Sequence, residues 1–169
     1  MGARVHAAAK REDADMYLAL KLLHVVAVIV FLGNVFTGLF WHAHAARTRD
    51  PKLLAHTMDG IIRSDRWFTL PGVVAIIAAG MALAIYGHFP LLRTPWILWT
   101  LVLFAISGIV FSVRVAPMQR QLKAMAENGM RGAFDYGRYR ALAIRWEAWG
   151  AIALLTPVAG LALMVLKPG

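Results

Sequence analysis

Four apolar stretches, each close to twenty residues long, constrain this 169-residue chain more than any other feature. They run Leu22–Trp41, Phe68–Tyr86, Trp96–Val113 and Trp146–Leu166. A helix needs about 20 apolar residues to cross the hydrocarbon core of a bilayer, so each run is long enough to span one. The composition agrees: 60% of residues are hydrophobic and 16% charged, against roughly 45–50% and 25% in soluble domains. There is no cysteine, which excludes a disulfide framework, a Cys-based zinc site, an iron–sulfur cluster and a thiol nucleophile. The chain therefore reads as a single all-α, integral membrane domain. It is expected to be an antiparallel four-helix bundle with spans at about 17–42, 68–87, 95–115 and 144–167 and short helical loops, behind a flexible tail over 1–15.

The formal charge of +9 does not point to nucleic acid. Arg47, Arg49, Lys52, Arg63 and Arg66 lie between the first two runs. Arg114, Arg120, Lys123, Arg131, Arg138, Arg140 and Arg145 lie between the last two. This is the positive-inside pattern of loops retained beside an anionic cytoplasmic leaflet, and no RNA-binding motif competes with it. It predicts both termini and the 87–94 loop on the outer side. Tyr17, Trp41, Trp67, Tyr86, Trp96 and Trp146 mark the span ends as an interfacial belt.

Local signals refine the spans. Thr94-Pro95 reads as an N-cap with proline at the first helical position, and Pro71-Gly72 reads as the opening of the second span, with Asp65 as its cap. Leu54, Met58, Ile61 and Ile62 recur at helical spacing, which predicts a short helix lying on the membrane surface. The third span is expected to continue past Pro117 and stop near Asn128-Gly129, and a further segment to start near Asp135. Small residues (Gly33, Gly38, Gly72, Ala75, Ala79, Gly108, Gly150, Gly160) suit close helix approach in lipid.

Polar groups inside a membrane are costly, so each is a candidate site. His24 and His42 on the first span are 18 residues apart, a whole number of helical turns, and so share a face about 27 Å apart. A buried imidazole in a bundle is a natural axial ligand for haem iron; equally, His24 can hydrogen-bond Asn34, a backbone group or a neighbouring helix. A second axial ligand would come from His88, Met81 or Met164. On the third span Thr100, Ser107 and Arg114 recur every seven residues as a polar stripe, and Arg114 is positioned to pair with Glu147 or to bind a propionate or quinone headgroup near His42. No GxSxG elbow, phosphate loop or HExxH motif is present.

Leu20-Lys21-Leu22-Leu23-His24-Val25-Val26, Gly33-Asn34, Asp65-Arg66-Trp67-Phe68-Thr69-Leu70-Pro71-Gly72, Pro117-Met118-Gln119-Arg120 and the tail Leu163–Pro168 together resemble a bacterial family of predicted integral membrane proteins, domain of unknown function 2269. The resemblance covers Tyr17 to Pro168 and implies an inner-membrane location without implying an activity. More distantly, the first span is similar to HemJ-type protoporphyrinogen oxidases and CopD-type membrane proteins. That likeness gives His24 the role of a haem b ligand, with His42 or His44 echoing a histidine at the far end of the helix.

Three functional classes fit these residues. The first is a four-helix protein binding haem b through His24 for electron transfer or oxidoreduction, with a quinone or porphyrin as partner. The second is a non-catalytic accessory subunit whose small-residue faces bind a membrane-protein partner or a second copy. The third is a copper or small-solute transporter, for which the scattered methionines form no soft-ligand motif.

Overall fold

Within a bilayer every backbone amide must be satisfied inside the segment that carries it, and the helix is the solution open to a chain of this composition. A computed structural model describes residues 2–167, with side chains from Arg11 onward. It contains α1 (Gly2–Ala46), α2 (Pro51–Ser64), α3 (Leu70–Tyr86), α4 (Pro95–Val110), α5 (Ala116–Gly129) and α6 (Tyr136–Leu166). The described residues contain no strand, and four helical segments are long and apolar enough to cross a membrane. The leader 1–15, expected as a tail, falls mostly outside the residues with described side chains; the helical backbone runs from Gly2.

Two of the long segments are compound. A π-helical turn, Asp65–Thr69, joins α2 to α3, and a second, Phe111–Val115, joins α4 to α5. Each is closed by a bond from residue i+5, Leu70 N–H to Asp65 O and Ala116 N–H to Phe111 O. A proline follows each turn at the second position, Pro71 and Pro117. The cause is steric and electronic: proline offers no N–H and its ring crowds the carbonyl four residues back, and one extra residue in the turn relieves both. Two expectations are corrected by this. Pro71-Gly72 does not open the second span, because the helix is continuous from Pro51. Residues 51–64 do not form a separate helix lying on the surface, because α2 prolongs the span beyond the π turn. Pro95 is the first residue of α4 as expected, but the Thr94 side chain makes no capping bond: its hydroxyl donates to Pro90 O at 2.9 Å. Asp50 caps α2, its carboxylate accepting from Lys52 N–H at 2.9 Å, and Asp135 caps α6 through Arg138 N–H at 3.0 Å.

The ends of the bundle are packed differently. At the basic end, which carries the Lys- and Arg-rich segments, Leu54, Met58, Leu122, Ala126, Tyr139, Ala143 and Trp146 form one buried core with Ala45 and Ala46. At the same end, beyond the apolar runs, α2 and α5 are also joined by charge: Lys123 Nζ lies 2.7 Å from Asp59 Oδ1, and Arg63 Nε 2.7 Å from Oδ2. The Lys123 hydrogen bond is the main reason the Asp59 carboxyl sits below its usual range. Toward the 87–94 end, the spans associate as two pairs, α1 with α3 and α4 with α6. Small residues set both contacts: Gly72 lies against Phe31, Gly80 against His24, and Gly160 against Thr100. The Ser107 hydroxyl donates to Ala153 O of α6 at 2.6 Å, and that of Thr100 lies 3.2 Å from Gly160 O. Between the pairs, no Cα of α3 comes within 8 Å of one of α4 among the described residues. Phe31 and Phe104, with ring centroids 5.7 Å apart, bridge α1 to α4.

This asymmetry sets where substitutions are costly. Leu122→Ala, at a fully buried position in the basic-end core, should destabilise by about 2–5 kcal/mol. Val74→Ala, on the lipid-facing side of α3, should stay within about 0.5 kcal/mol. Denaturant titration of both variants in the same detergent checks the contrast.

Candidate functional site: a polar-ended cavity between two helix pairs

The space between the pairs is a cavity of about 290 Å³. Its apolar lining includes Phe31, Val35, Val73, Ile77, Phe104 and Phe111; its polar lining is Ser107, Ser112 and a bonded group of Asn34, Asp65, Thr69 and Gln119 that forms its polar end. Both π turns border it, the first through Asp65 and Thr69 and the second through Phe111, Ser112 and Val115. Such turns are rare inside helices and are frequent at functional sites.

Asp65 is the centre of the polar end. Its Oδ1 accepts from the Thr69 hydroxyl at 2.8 Å and from Asn34 Nδ2 at 3.1 Å, and its Oδ2 accepts from Gln119 Nε2 at 2.8 Å. Asn34 Nδ2 also donates to Thr69 Oγ1 at 2.9 Å. Asp65 is 8% exposed, and no Lys, Arg or His contacts it within 4 Å among the described residues. Its expected role as a helix cap is corrected: it sits inside a continuous helix, and its carboxylate joins α1, the first π turn and α5. Trp146 of α6 lines the same cavity, and its indole Nε1 is buried without a hydrogen-bond partner.

A second polar group lies behind Trp146. His42 is completely buried, its ring 4.8 Å from that of Trp146 in an edge contact. Its Nε2 lies 3.1 Å from the Tyr139 hydroxyl and its Nδ1 3.4 Å from Glu147 Oε1. Glu147 in turn accepts from Arg140 Nη1 at 2.7 Å. The expected Arg114–Glu147 pair is therefore corrected. Arg114 stands over the Trp149 ring at 5.4 Å, and Arg140, about two turns before Glu147 on the same helix, takes the carboxylate. Arg114 is not among the groups contacting His42. The polar stripe of the third span also has a structural use, since Thr100 and Ser107 face α6 carbonyls.

His24, near the other end of α1, places Nδ1 3.0 Å from Ile76 O, one of the uses the sequence leaves open. A carbonyl only accepts, so Nδ1 carries the proton and Nε2 the lone pair. The residues considered as second ligands lie on α3, in the loop after it and on α6. Met81 is 47% exposed on α3, His88 lies in the following loop with φ 54°, and Met164 lies on α6, which packs against α4. No group of three or more His, Asp or Glu suited to a metal ion exists among the described residues.

Comparison with known sequences agrees with the four membrane-length helices. Residues 18–168 match the family described as predicted integral membrane protein, DUF2269. The chain belongs to that family. No curated protein and no solved structure matches it. The chemistry of this DUF2269 chain therefore has to be read from its own residues. Asp65, Asn34 and Gln119 are each visible in the sequence as polar residues in or beside apolar runs. Their convergence is not, because Asn34 and Gln119 lie 31 and 54 positions from Asp65. Tyr139 gives no signal.

Gln119→Leu leaves Asp65 Oδ2 without its donor and should cost about 1–3 kcal/mol. Combined with Asp65→Asn the loss should be smaller than the sum of the two single changes, since the partners share one network. A double-mutant cycle by denaturant unfolding checks this; strict additivity would show that the Gln119–Asp65 contact contributes nothing.

Proposed function

We propose that this protein binds a small lipid-soluble molecule with one polar end in the cavity between its helix pairs. The observation that carries the reading is the cavity itself: about 290 Å³, aromatic and aliphatic along its walls, with a polar group of side chains at Asp65, and with α3 and α4 more than 8 Å apart at every Cα pair. Ligand sites are mostly apolar clefts from about 300 Å³ upward with a few placed polar groups. A molecule dissolved in the bilayer can enter sideways between α3 and α4 without crossing the packed basic end. Quinone rings belong to this size class.

Gly108 supplies the test. It lines the cavity, and a Cβ built there meets nothing within 4 Å, so Gly108→Leu adds a side chain at a wall position with room for its first carbon. Wild type and Gly108→Leu, purified in parallel from the same cells, are extracted and the small molecules compared by mass spectrometry. A compound retained near stoichiometrically by wild type and missing from the variant is the expected result. Indistinguishable extracts from two equally folded proteins would overturn the reading.

A second reading, haem b on His24 serving electron transfer, has one observation in its favour. Donation from Nδ1 to Ile76 O leaves Nε2 as the free lone pair, the arrangement usual for a metal-bound imidazole. On this reading, protein from haem-replete cells shows a Soret band that His24→Ala removes. A colourless protein that also fails to take up added haemin sinks it.

The basic end is read as cytoplasmic, in a bacterial inner membrane. Because the chain has no cysteine, Leu92→Cys in the exposed 87–94 loop and Lys52→Cys at the basic end can be compared directly. An impermeant maleimide added outside intact spheroplasts should label the first and not the second; the reverse pattern would invert the topology.

A further inference from the structure

Asp65 specifies more than a polar end. All three groups bonded to it are donors: the Thr69 hydroxyl, Asn34 Nδ2 and Gln119 Nε2. That is the surrounding of a carboxylate acting only as acceptor. A carboxylate offers about four lone-pair positions, so one stays open. No cationic side chain lies within 4 Å among the described residues. A charge held away from water without a counter-charge is costly: in membrane segments such a residue takes up a proton, pairs with a cation, or lines a substrate or ion path. Arg66, adjacent in sequence, is exposed and so does not supply the charge.

The rest of the lining suits a cation as well. Phe31, Phe104, Phe111 and Trp146 all border the same space. Aromatic faces attract cations through their quadrupole, and rings combined with a carboxylate are the usual surroundings of quaternary ammonium groups. The walls demand an apolar body, and the Asp65 end demands one positive charge. A neutral ring such as a quinone would fill the volume and leave the carboxylate uncompensated.

We propose that the occupant of the cavity is a lipophilic monocation, an ammonium with an apolar or aromatic body, its charge at Asp65 and its body among Phe31, Phe104 and Phe111. This rests on the cavity being a binding site and adds the sign and position of the ligand's charge.

A pair of isosteres separates charge from shape: phenyltrimethylammonium, and tert-butylbenzene, its neutral counterpart. Binding is measured by equilibrium dialysis against the full chain in nanodiscs, with empty nanodiscs of the same lipid subtracted. Wild type should hold the cation about tenfold or more tightly than the neutral isostere. Asp65→Asn should remove that preference while still binding the neutral compound, and Gly108→Leu should lose both. If wild type binds the two equally and Asp65→Asn changes nothing, the charge assignment is overturned while the cavity remains a binding site. If neither compound binds above empty nanodiscs, and Gly108→Leu matches wild type, the binding reading falls and this inference falls with it. Should Asp65→Asn not fold, the wild-type ratio of cation to neutral isostere decides alone.

Discussion

A carboxylate removed from water has to be held by something, and in this protein what holds Asp65 also holds the bundle. Its three donors come from α1, from its own π turn and from α5, so one side chain ties the first, second and third spans together at a single level. Each bond is strengthened because little water competes for it. On the basic side of this junction the helices are packed around Leu54, Met58, Leu122 and Tyr139. On the other side they part into two pairs. The cavity is the space where four helices joined at one end have begun to diverge.

That geometry explains why the small residues of the spans have unequal uses. Gly72, Gly80, Gly150 and Gly160 face neighbouring helices closely, each within a contact that keeps a pair or the α1–α6 seam together. Gly33 and Gly108 face open space, and at Gly108 the missing side chain is part of the cavity wall. In water the divergence would expose apolar surface and collapse. In lipid, side chains such as Phe36, Val74 and Ile109 gain nothing by leaving the surface, so the bundle can stay open.

The spans, the start of α4 at Pro95 and of α6 after Asp135, and the extension of the third span past Pro117 are legible in the sequence, because hydrophobic length and helix-start residues act locally. The π turns are not. Proline signals a break in regular helix but does not say whether the helix ends or adapts, and Pro71 reads as a start where the chain adapts. Within the site, His24 and His42 stand out as histidines in an apolar run, and the structure gives both well-defined partners. Asp65 is visible, but its role is not. Beside Arg66 and Trp67 it looks like an interfacial cap, and only the approach of α1 and α5 shows that it faces inward. Depth along the spans pairs Glu147 with Arg114. The π turn that carries Arg114 lets its guanidinium stand over Trp149 instead.

Each π turn also acts as a phase shift. One additional residue rotates everything beyond it by about 100° relative to a regular helix. The turn at Asp65–Thr69 thus sets two faces independently: the face of α2 that meets α5, and the face of α3 that brings Gly72 and Gly80 to α1. Deleting a single residue between 65 and 69 would leave composition, hydropathy and span length almost untouched. Yet it would turn one of those faces toward lipid. Two positions in the chain therefore carry angular information out of proportion to their chemistry, and at both of them length is the property that matters.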